Sequence, residues 1–286
     1  MSLAVFDIGG TAVKYGLWQK GAIKQKGKFP TPSSFTQLEE TFAQTIKNFD
    51  TEVTGVAISS PGAVNVEKRR IDGISAVSYL HHRPIFAELE DYLKLPVTIE
   101  NDANCAGICE MIQGAGKQVQ QAVFLVIGTG VGGAIFIHNQ LYKGAHLFGG
   151  EFGLMRNQNG KSLSVNGTVR NTALRFSEKF GQNIDGVQLF DLKKEGNVDA
   201  EQAVSEMYDS LVESLYNIQV SLDPEMVIIG GGVSARNEFI NELRKRLYNN
   251  LAKDDIESIM PEIQACQYHN DANLIGAALN FETLKQ

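Results

Sequence analysis

The string Asp7-Ile8-Gly9-Gly10-Thr11-Ala12-Val13-Lys14 closes an apolar run that begins at Leu3. Gly9 and Gly10 let backbone amides approach a phosphate, while Thr11 adds a hydroxyl and Lys14 a cation. Asp7, at the end of a buried strand, is placed to hold a hydrated Mg²⁺ that bridges phosphates. Gly-Gly alone would read as a tight hairpin capped by Asp; the full D-x-G-G-T-x-x-K string points to phosphate binding. A second string, Gly128-Thr129-Gly130-Val131-Gly132-Gly133, follows the apolar run Ala122 to Ile127. Its spacing is that of a dinucleotide fingerprint, but a strand rather than a helix follows it, which argues against a nicotinamide site. As a second Gly/Thr hairpin facing the first, it makes a two-sided phosphate clamp.

Three further strings carry chemistry. The glycines of Ile228-Ile229-Gly230-Gly231-Gly232-Val233-Ser234 would let a flat group such as adenosine lie against backbone, or would simply turn a strand into a helix. In Glu100-Asn101-Asp102-Ala103-Asn104 a carboxylate stands at a strand end beside a helix start. There Asp102 is placed either for acid/base work at a cleft or as an N-cap. Gly149-Gly150-Glu151-Phe152-Gly153 sets Glu151 in a glycine-rich loop, to bind a pair of sugar hydroxyls or to stand as a solvated charge. Cys105 and Cys109, at i and i+4 on a helix, read as core rather than ligands. His81 and His82, beside Arg83, read as surface or cleft edge, and Val123, Leu125 and Ile127 as core.

These strings need elements to hold them. Leu3 to Ile8, Ala12 to Trp18 and Gly21 to Phe29 read as three strands, broken by Pro30 and Pro32. Phe35 to Phe49 has apolar residues at Leu38, Phe42 and Ile46, a helical period. Val53 to Ser59 is a strand ended by Ser60-Pro61-Gly62. Pro84 to Leu93 reads as a helix, Val97 to Glu100 as a strand, and Asn104 to Ile112 as a helix capped by Asn101-Asp102. The pattern then restarts, with strands at Ala122 to Ile127 and Gly132 to Ile137. Phe148 to Lys161 reads as loop. Helices follow at Asn166 to Phe180, Ala200 to Ser221, Asn237 to Leu251 and Asn273 to Leu284, with strands at Met226 to Ile229 and Ile263 to Gln267. Strand–Gly/Thr turn–strand thus occurs twice, at Asp7 and at Gly128, a weak internal repeat. The expected fold is α/β in two packed lobes, 1–103 plus 272–286 and 104–271, each a mixed sheet with flanking helices.

Composition narrows the function classes. The 286 residues are 43% hydrophobic and 21% charged, which excludes a disordered chain. A net charge of −7 and the lack of a basic run disfavour nucleic acid as a partner. No apolar run approaches the roughly 20 residues of a membrane span. Three cysteines without a CxxC pair disfavour a disulfide framework and a Cys-based zinc site. Met1 leads straight into Leu3-Ala4-Val5-Phe6 with no basic region before it, so no signal peptide is read and a cytoplasmic home is expected.

Taken together, the strings resemble the ROK family (repressors, uncharacterised reading frames and sugar kinases) of the actin/hexokinase/heat-shock ATPase superfamily. The resemblance runs from Leu3 to about Leu279. Asp7 to Lys14 resembles the family's first phosphate motif, Gly128 to Gly133 its second, and Gly230 to Gly232 its adenosine motif. Asn101-Asp102-Ala103-Asn104 resembles the segment carrying the catalytic aspartate, which falls on Asp102. Ser60-Pro61-Gly62 resembles the sugar-side S-x-P-G turn, and Glu151 matches the first sugar-binding Glu. Two departures stand out. Leu154 occupies the place of a His, and Met155 to Gly167 has neither Cys nor His where the family carries a zinc motif, so no structural zinc is expected. The second sugar-binding Glu has no clear counterpart; Ser162 lies near its place. The first phosphate motif begins at residue 7, leaving no room for the helix-turn-helix of ROK repressors.

The resemblance implies a two-lobed actin-like ATPase fold, related to ribonuclease H, and an ATP-dependent sugar kinase with Mg²⁺, commonly a homodimer. MgATP would lie between the lobes, held by the two Gly/Thr hairpins (Asp7, Gly9, Gly10, Thr11, Lys14; Gly128, Thr129, Gly130, Gly132) and by Gly230, Gly231 and Gly232. The sugar would sit on Ser60, Pro61, Gly62, Asn101, Asp102 and Glu151, with Asp102 accepting the proton of the 6-hydroxyl. The missing His and Glu leave the C1 and C2 end open to two readings. One is a β-glucoside kinase or glucokinase, favoured by the Asp72 to His81 segment, Asp-Gly-Ile-Ser-Ala-Val-Ser-Tyr-Leu-His, which resembles a subgroup that includes β-glucoside kinases. The other is an N-acetylmannosamine kinase or fructokinase. A non-catalytic sugar sensor or a polymerising ATPase of the same fold is the alternative of another class.

Overall fold

The computed structural model describes residues 1–157 and 160–284. The chain divides into two compact units. One is Met1–Gly114 with Gly144–Phe148 and Asn270–Gln286; the other is Ala115–Lys143 with Gly149–His269. Among the described residues no helix is long and apolar enough to cross a membrane.

In the first unit, β1 (Ser2–Ile8), β2 (Ala12–Gln19), β3 (Ala22–Pro30), β4 (Gly55–Ser60) and β7 (Val97–Asn101) form one sheet in the order β3-β2-β1-β4-β7. The β1–β2–β3 pairings are antiparallel, and β1–β4–β7 are parallel. Central β1 and β4 are buried nearly throughout, as continuous apolar strands between two covered faces must be. Edge strand β3 carries Lys24, Lys26 and Lys28, which discourage pairing with another edge. A small hairpin, β5 (Ala63–Asn65) and β6 (Arg70–Asp72), follows β4; its strands are too short to leave a period in the sequence.

Helix α1 (Phe35–Lys47) starts at Ser34, whose side chain accepts the Gln37 amide, and buries Phe35, Leu38, Phe42 and Thr45. Phe42 stacks on Phe6 with ring centroids 3.8 Å apart. Helix α2 (Ile85–Leu93) buries Ile85, Phe86 and Leu89. The first unit, expected to end at residue 103, runs on to Gly114. The reason is α3 (Asp102–Ile112), which packs on the C-terminal helix α9 (Ala272–Leu284). A Cβ on Gly276 would stand 1.7 Å from the Cys105 carbonyl oxygen, so the two backbones touch only because residue 276 is glycine. Cys105 and Cys109 are buried in α3, as core.

The second unit repeats the sheet plan. β8 (Ala122–Ile127), β9 (Val131–Ile137), β10 (Gln140–Tyr142), β11 (Met226–Gly230) and β12 (Glu262–Ala265) lie in the order β10-β9-β8-β11-β12. Again three strands are antiparallel and two add in parallel. Val123, Leu125 and Ile127 enter its core with Val227 and Ile229. The helix expected over Asn166 to Phe180 is α5 (Val169–Phe180), which starts later because Thr168 caps it by accepting the Asn171 amide; a short helix, α4 (Leu163–Asn166), precedes it. Helix α6 (Gly186–Lys194), not foreseen, opens on a capping box between Asp185 and Gln188. The 25-residue α7 (Val198–Leu222) and α8 (Asn237–Lys253) cover the core.

Candidate functional site

Strand register builds the first constellation. Asp7 lies opposite Lys14 on β2 and beside Ser59 on β4, and Ser59 lies beside Glu100 on β7. Four polar side chains therefore share one row across the strand ends. Asp7 is 8% exposed. Its Oδ1 accepts from Ser59 Oγ at 2.7 Å and from Asn273 Nδ2 at 3.0 Å. Its Oδ2 faces Lys14 Nζ at 3.7 Å, across a gap longer than a hydrogen bond. Past Asp7 the chain turns on Gly9, whose amide donates to the Ala12 carbonyl, and Thr31 Oγ1 donates to the Gly9 carbonyl at 2.6 Å. Gly10 and Thr11 are exposed at the tip.

Mg²⁺ fits this donor set. One oxygen of the Asp7 carboxylate accepts from two neutral donors, and the other faces Lys14 Nζ beyond hydrogen-bond distance. A hydrated Mg²⁺ takes oxygen ligands and keeps several waters, so one carboxylate suffices.

The acceptor side is organised around Asn101. It caps α3 by accepting the Asn104 amide at 3.1 Å, and its Nδ2 donates to the Gly62 carbonyl at 3.1 Å. One side chain thus ties the helix start to the Ser60-Pro61-Gly62 turn. Asp102 is the first helical residue rather than the cap; its Oδ1 accepts the Ala103 amide at 2.8 Å. Below it Glu100, 3% exposed, accepts from the Asn101 amide and from Asn104 Nδ2 at 2.9 Å. Ser60 is buried, with its hydroxyl on the Pro61 carbonyl at 3.3 Å. Gly62 has φ +103°, and a Cβ there would meet His81 Cε1 and Ile71 Cγ2 at 2.8 Å. His81 is thus packed under the turn, and burial lowers its pKa below the usual 6.5.

In the second unit the glycine strings close on one another. A Cβ on Gly231, φ +87°, would stand 2.1 Å from the Ile127 carbonyl oxygen, immediately before the Gly128 turn. That turn is closed by the Gly128 amide on the Gly130 carbonyl at 2.9 Å. Asn171 Nδ2 bridges the Thr129 and Ser164 carbonyls, and Ser164 Oγ accepts the Val131 amide at 3.0 Å. Gly128 and Gly232 line a cavity of about 460 Å³ with apolar walls from α5 and α6, including Val169, Leu174, Val187 and Phe190. Arg236 stacks on Phe190 at 5.1 Å from the ring centroid. A volume of this order suits a nucleoside.

The Glu151 loop lies on β9. A Cβ on Gly150, φ +90°, would stand 2.6 Å from the Gly133 carbonyl oxygen, and one on Gly153 would overlap the Val131 carbonyl. Glu151 is exposed to solvent at one side, while desolvation by the surrounding chain raises its carboxyl pKa. A single 3₁₀ turn, Phe152–Leu154, puts Leu154, 61% exposed, next to it. Beyond the turn, Asn166 Nδ2 donates to Asn157 Oδ1 at 3.1 Å and Asn157 Nδ2 to Ser210 Oγ at 3.0 Å. Residues 158 and 159 of the expected loop lie outside the described residues.

The structure therefore gathers Asp7, Lys14 and Asp102 with Asn101 and the Gly62 turn in the first unit. It gathers Gly128, Thr129, Gly130, Gly231 and Gly232 in the second. Sequence reasoning missed Ser59 and Asn273, the partners of Asp7, as well as Asn171, the α6 wall and Arg236. A D-x-x-Q capping box marked α6; nothing local marks Asn273, which lies 266 residues from its partner.

Comparison with known proteins identifies the family and the fold. A model of the ROK family matches residues 3–283. A β-glucoside kinase of Listeria monocytogenes is 34% identical, covering 98% of this chain and 97% of its own. A ROK family protein from Streptococcus pneumoniae, solved in complex with sucrose, is 35% identical with a TM-score of 0.90, over 100% of this chain and 99% of the other. A ROK family glucokinase from Streptomyces griseus, solved with glucose and AMPPNP, is 25% identical with a TM-score of 0.80, over 97% and 98%.

Proposed function

The chain belongs to the ROK family, and we propose that it transfers the γ-phosphoryl group of ATP to the 6-hydroxyl of a glucoside, with β-glucosides and glucose as acceptors. It is a carbohydrate kinase with the actin-like ATPase fold of the ROK kinases. The observation that carries the finer reading is the Asn101 bridge, which holds Asp102 at a helix start against a glycine turn of open backbone.

Asp102 acts as the base. As the acceptor O6 attacks the γ-phosphorus, the O6–H proton passes to the Asp102 carboxylate. The bond from the γ-phosphorus to the β–γ bridging oxygen breaks, and ADP leaves. Phosphoryl transfer needs little covalent help, so positioning and charge neutralisation supply most of the rate. Gly9 to Thr11 and Gly128 to Gly130 present amides and hydroxyls to the phosphates, Lys14 supplies a cation, and Gly231 and Gly232 open the cavity for adenosine. Asp7 would hold a Mg²⁺ ion, which would supply neutralisation of phosphate charge. Ser60, Pro61 and Gly62 with Asn101 seat the sugar, and Glu151 accepts hydrogen bonds from its hydroxyls.

Leu154 favours β-glucosides. An exposed apolar side chain next to Glu151 offers surface to a C1 substituent and forms no hydrogen bond to a free anomeric hydroxyl. The test is coupled ADP release with MgATP and a panel of glucose, N-acetylmannosamine, fructose, cellobiose and an aryl β-glucoside. Turnover of cellobiose and the aryl glucoside is expected. Turnover of glucose alone would close the C1 end, and turnover of only N-acetylmannosamine or fructose would reassign the acceptor. ADP release with none of them would overturn the kinase reading.

A further inference from the structure

Two turns of the first unit must keep a fixed spacing for the acceptor hydroxyl to meet phosphorus: the phosphate turn at Gly9 to Thr11 and the acceptor turn at Ser60 to Gly62. One loop, residues 73–77, joins them. At one end, Ala76 leaves no room beside Gly10: a Cβ on Gly10 would stand 3.0 Å from Ala76 Cβ. At the other, His81 fills the space that a side chain at Gly62 would take. Between the two ends, Ser75 Oγ lies 2.7 Å from His81 Nε2 and accepts the Val77 amide at 3.2 Å.

The imidazole is thus held on two sides. Its Cε1 edge bears on Gly62, and its Nε2 holds Ser75, the neighbour of Ala76. Its Nδ1 is buried, and the backbone of Asp72 and Ile71 lies against the ring on that side. The rest of the segment is anchored. Leu80 is fully buried, Tyr79 Oη donates to the Pro32 carbonyl at 2.8 Å, and the His82 amide donates to the Ile71 carbonyl. The Ser75–His81 contact transmits that anchorage to the loop.

We propose that His81, acting through Ser75, is a positioning residue that sets the distance between the phosphate turn and the acceptor turn. It touches neither sugar nor nucleotide. The role rests on the kinase reading for its consequence: a strut between the turns governs how a bound sugar meets phosphorus, not how nucleotide binds in the second unit's cavity.

The experiment compares His81→Ala, His81→Gln, Ser75→Ala and the double alanine variant. Each is measured for sugar-dependent ADP release and for binding of a fluorescent ADP analogue. Misplacing reacting groups by about 1 Å costs on the order of 10²-fold in rate, so His81→Ala is expected to lower kcat/KM for the sugar by about 10- to 100-fold. ADP affinity is expected to stay within twofold. His81→Gln, whose amide reaches Ser75 much as Nε2 does, should recover most of the loss. Ser75→Ala should reproduce the defect, and the double variant should be no worse than either single one, since both remove one contact. Additive losses, an equal fall in ADP affinity, or turnover unaffected by either alanine would overturn the proposal. If His81→Ala fails to fold, Ser75→Ala and His81→Gln decide it. Failure of the kinase reading looks different: the unmodified protein would bind ADP and release none with any sugar.

Discussion

Two sheets of the same plan carry opposite chemistry at their strand ends. In the first unit the row that crosses β2, β1, β4 and β7 reads Lys14, Asp7, Ser59, Glu100. In the second, the pairing one step before the turn brings Gly132 to Val126 and Val126 to Gly230. One row is charged and hydrogen-bonded; the other is glycine and valine. The same backbone therefore carries a row of charged and polar side chains in one unit and a row of glycine and valine in the other. The duplicated plan is a scaffold, and the side chains at its strand ends decide the task of each copy.

The contrast predicts separable losses. The largest belongs to the charged side. Asp102→Asn keeps the shape and removes the base, so kcat should fall by about 10²- to 10⁴-fold while sugar and ADP binding persist. Near-normal turnover of that variant would move the base elsewhere. Next comes the glycine side. Gly231→Val places a side chain against the Ile127 carbonyl at a positive φ, and KM for ATP should rise at least about tenfold with KM for sugar little changed. If both constants moved together, the division of labour between the copies would be wrong.

A smaller effect tests the packing that holds Asp102. Gly276→Ala must push α9 off α3, and the expected cost is about 1–3 kcal/mol, read as a lower Tm, with reduced kcat before any loss of ADP binding. An unchanged Tm would show that α3 yields without cost.

The smallest expected effect is on pH. Burial lowers the His81 pKa, and His82 adds to the lowering. The backbone of Asp72 and of Ile71 opposes it, as does, to a smaller degree, the charge of Asp72, itself paired with Arg70 at 2.8 Å. The neutral ring is thus favoured, so its contribution is complete above 6.5 and is lost as pH falls through the lowered value. KM for sugar should therefore rise on acidification more steeply in the unmodified protein than in His81→Gln, while KM for ATP follows a common curve. Identical curves for sugar would detach His81 from the acceptor turn.

The repeat at Asp7 and Gly128, the apolar runs of the central strands and the helices with a 3.6-residue stripe were legible because each writes a local period. The hairpin of β5 and β6 was not, since three-residue strands leave no period. The break between α4 and α5 was hidden by Gly167 and Thr168, which read as helix interior until Thr168 is seen accepting the Asn171 amide. His81 could be placed only at a surface or cleft edge, because its partner Ser75 and the Gly62 turn meet it through folding and not through spacing.

By itself the sequence determined which backbone segments could approach a phosphate, where the carboxylates stand, and that the plan occurs twice. Glycine, proline and alternating apolar residues restrict φ, ψ and burial over a few neighbours, and those restrictions can be read along the chain. Tertiary structure alone decided which groups satisfy Asp7, how Asn101 fastens Asp102 to Gly62, and what walls the nucleoside-sized cavity. Those contacts join residues tens to hundreds of positions apart, and only strand register and helix packing bring them within hydrogen-bond distance.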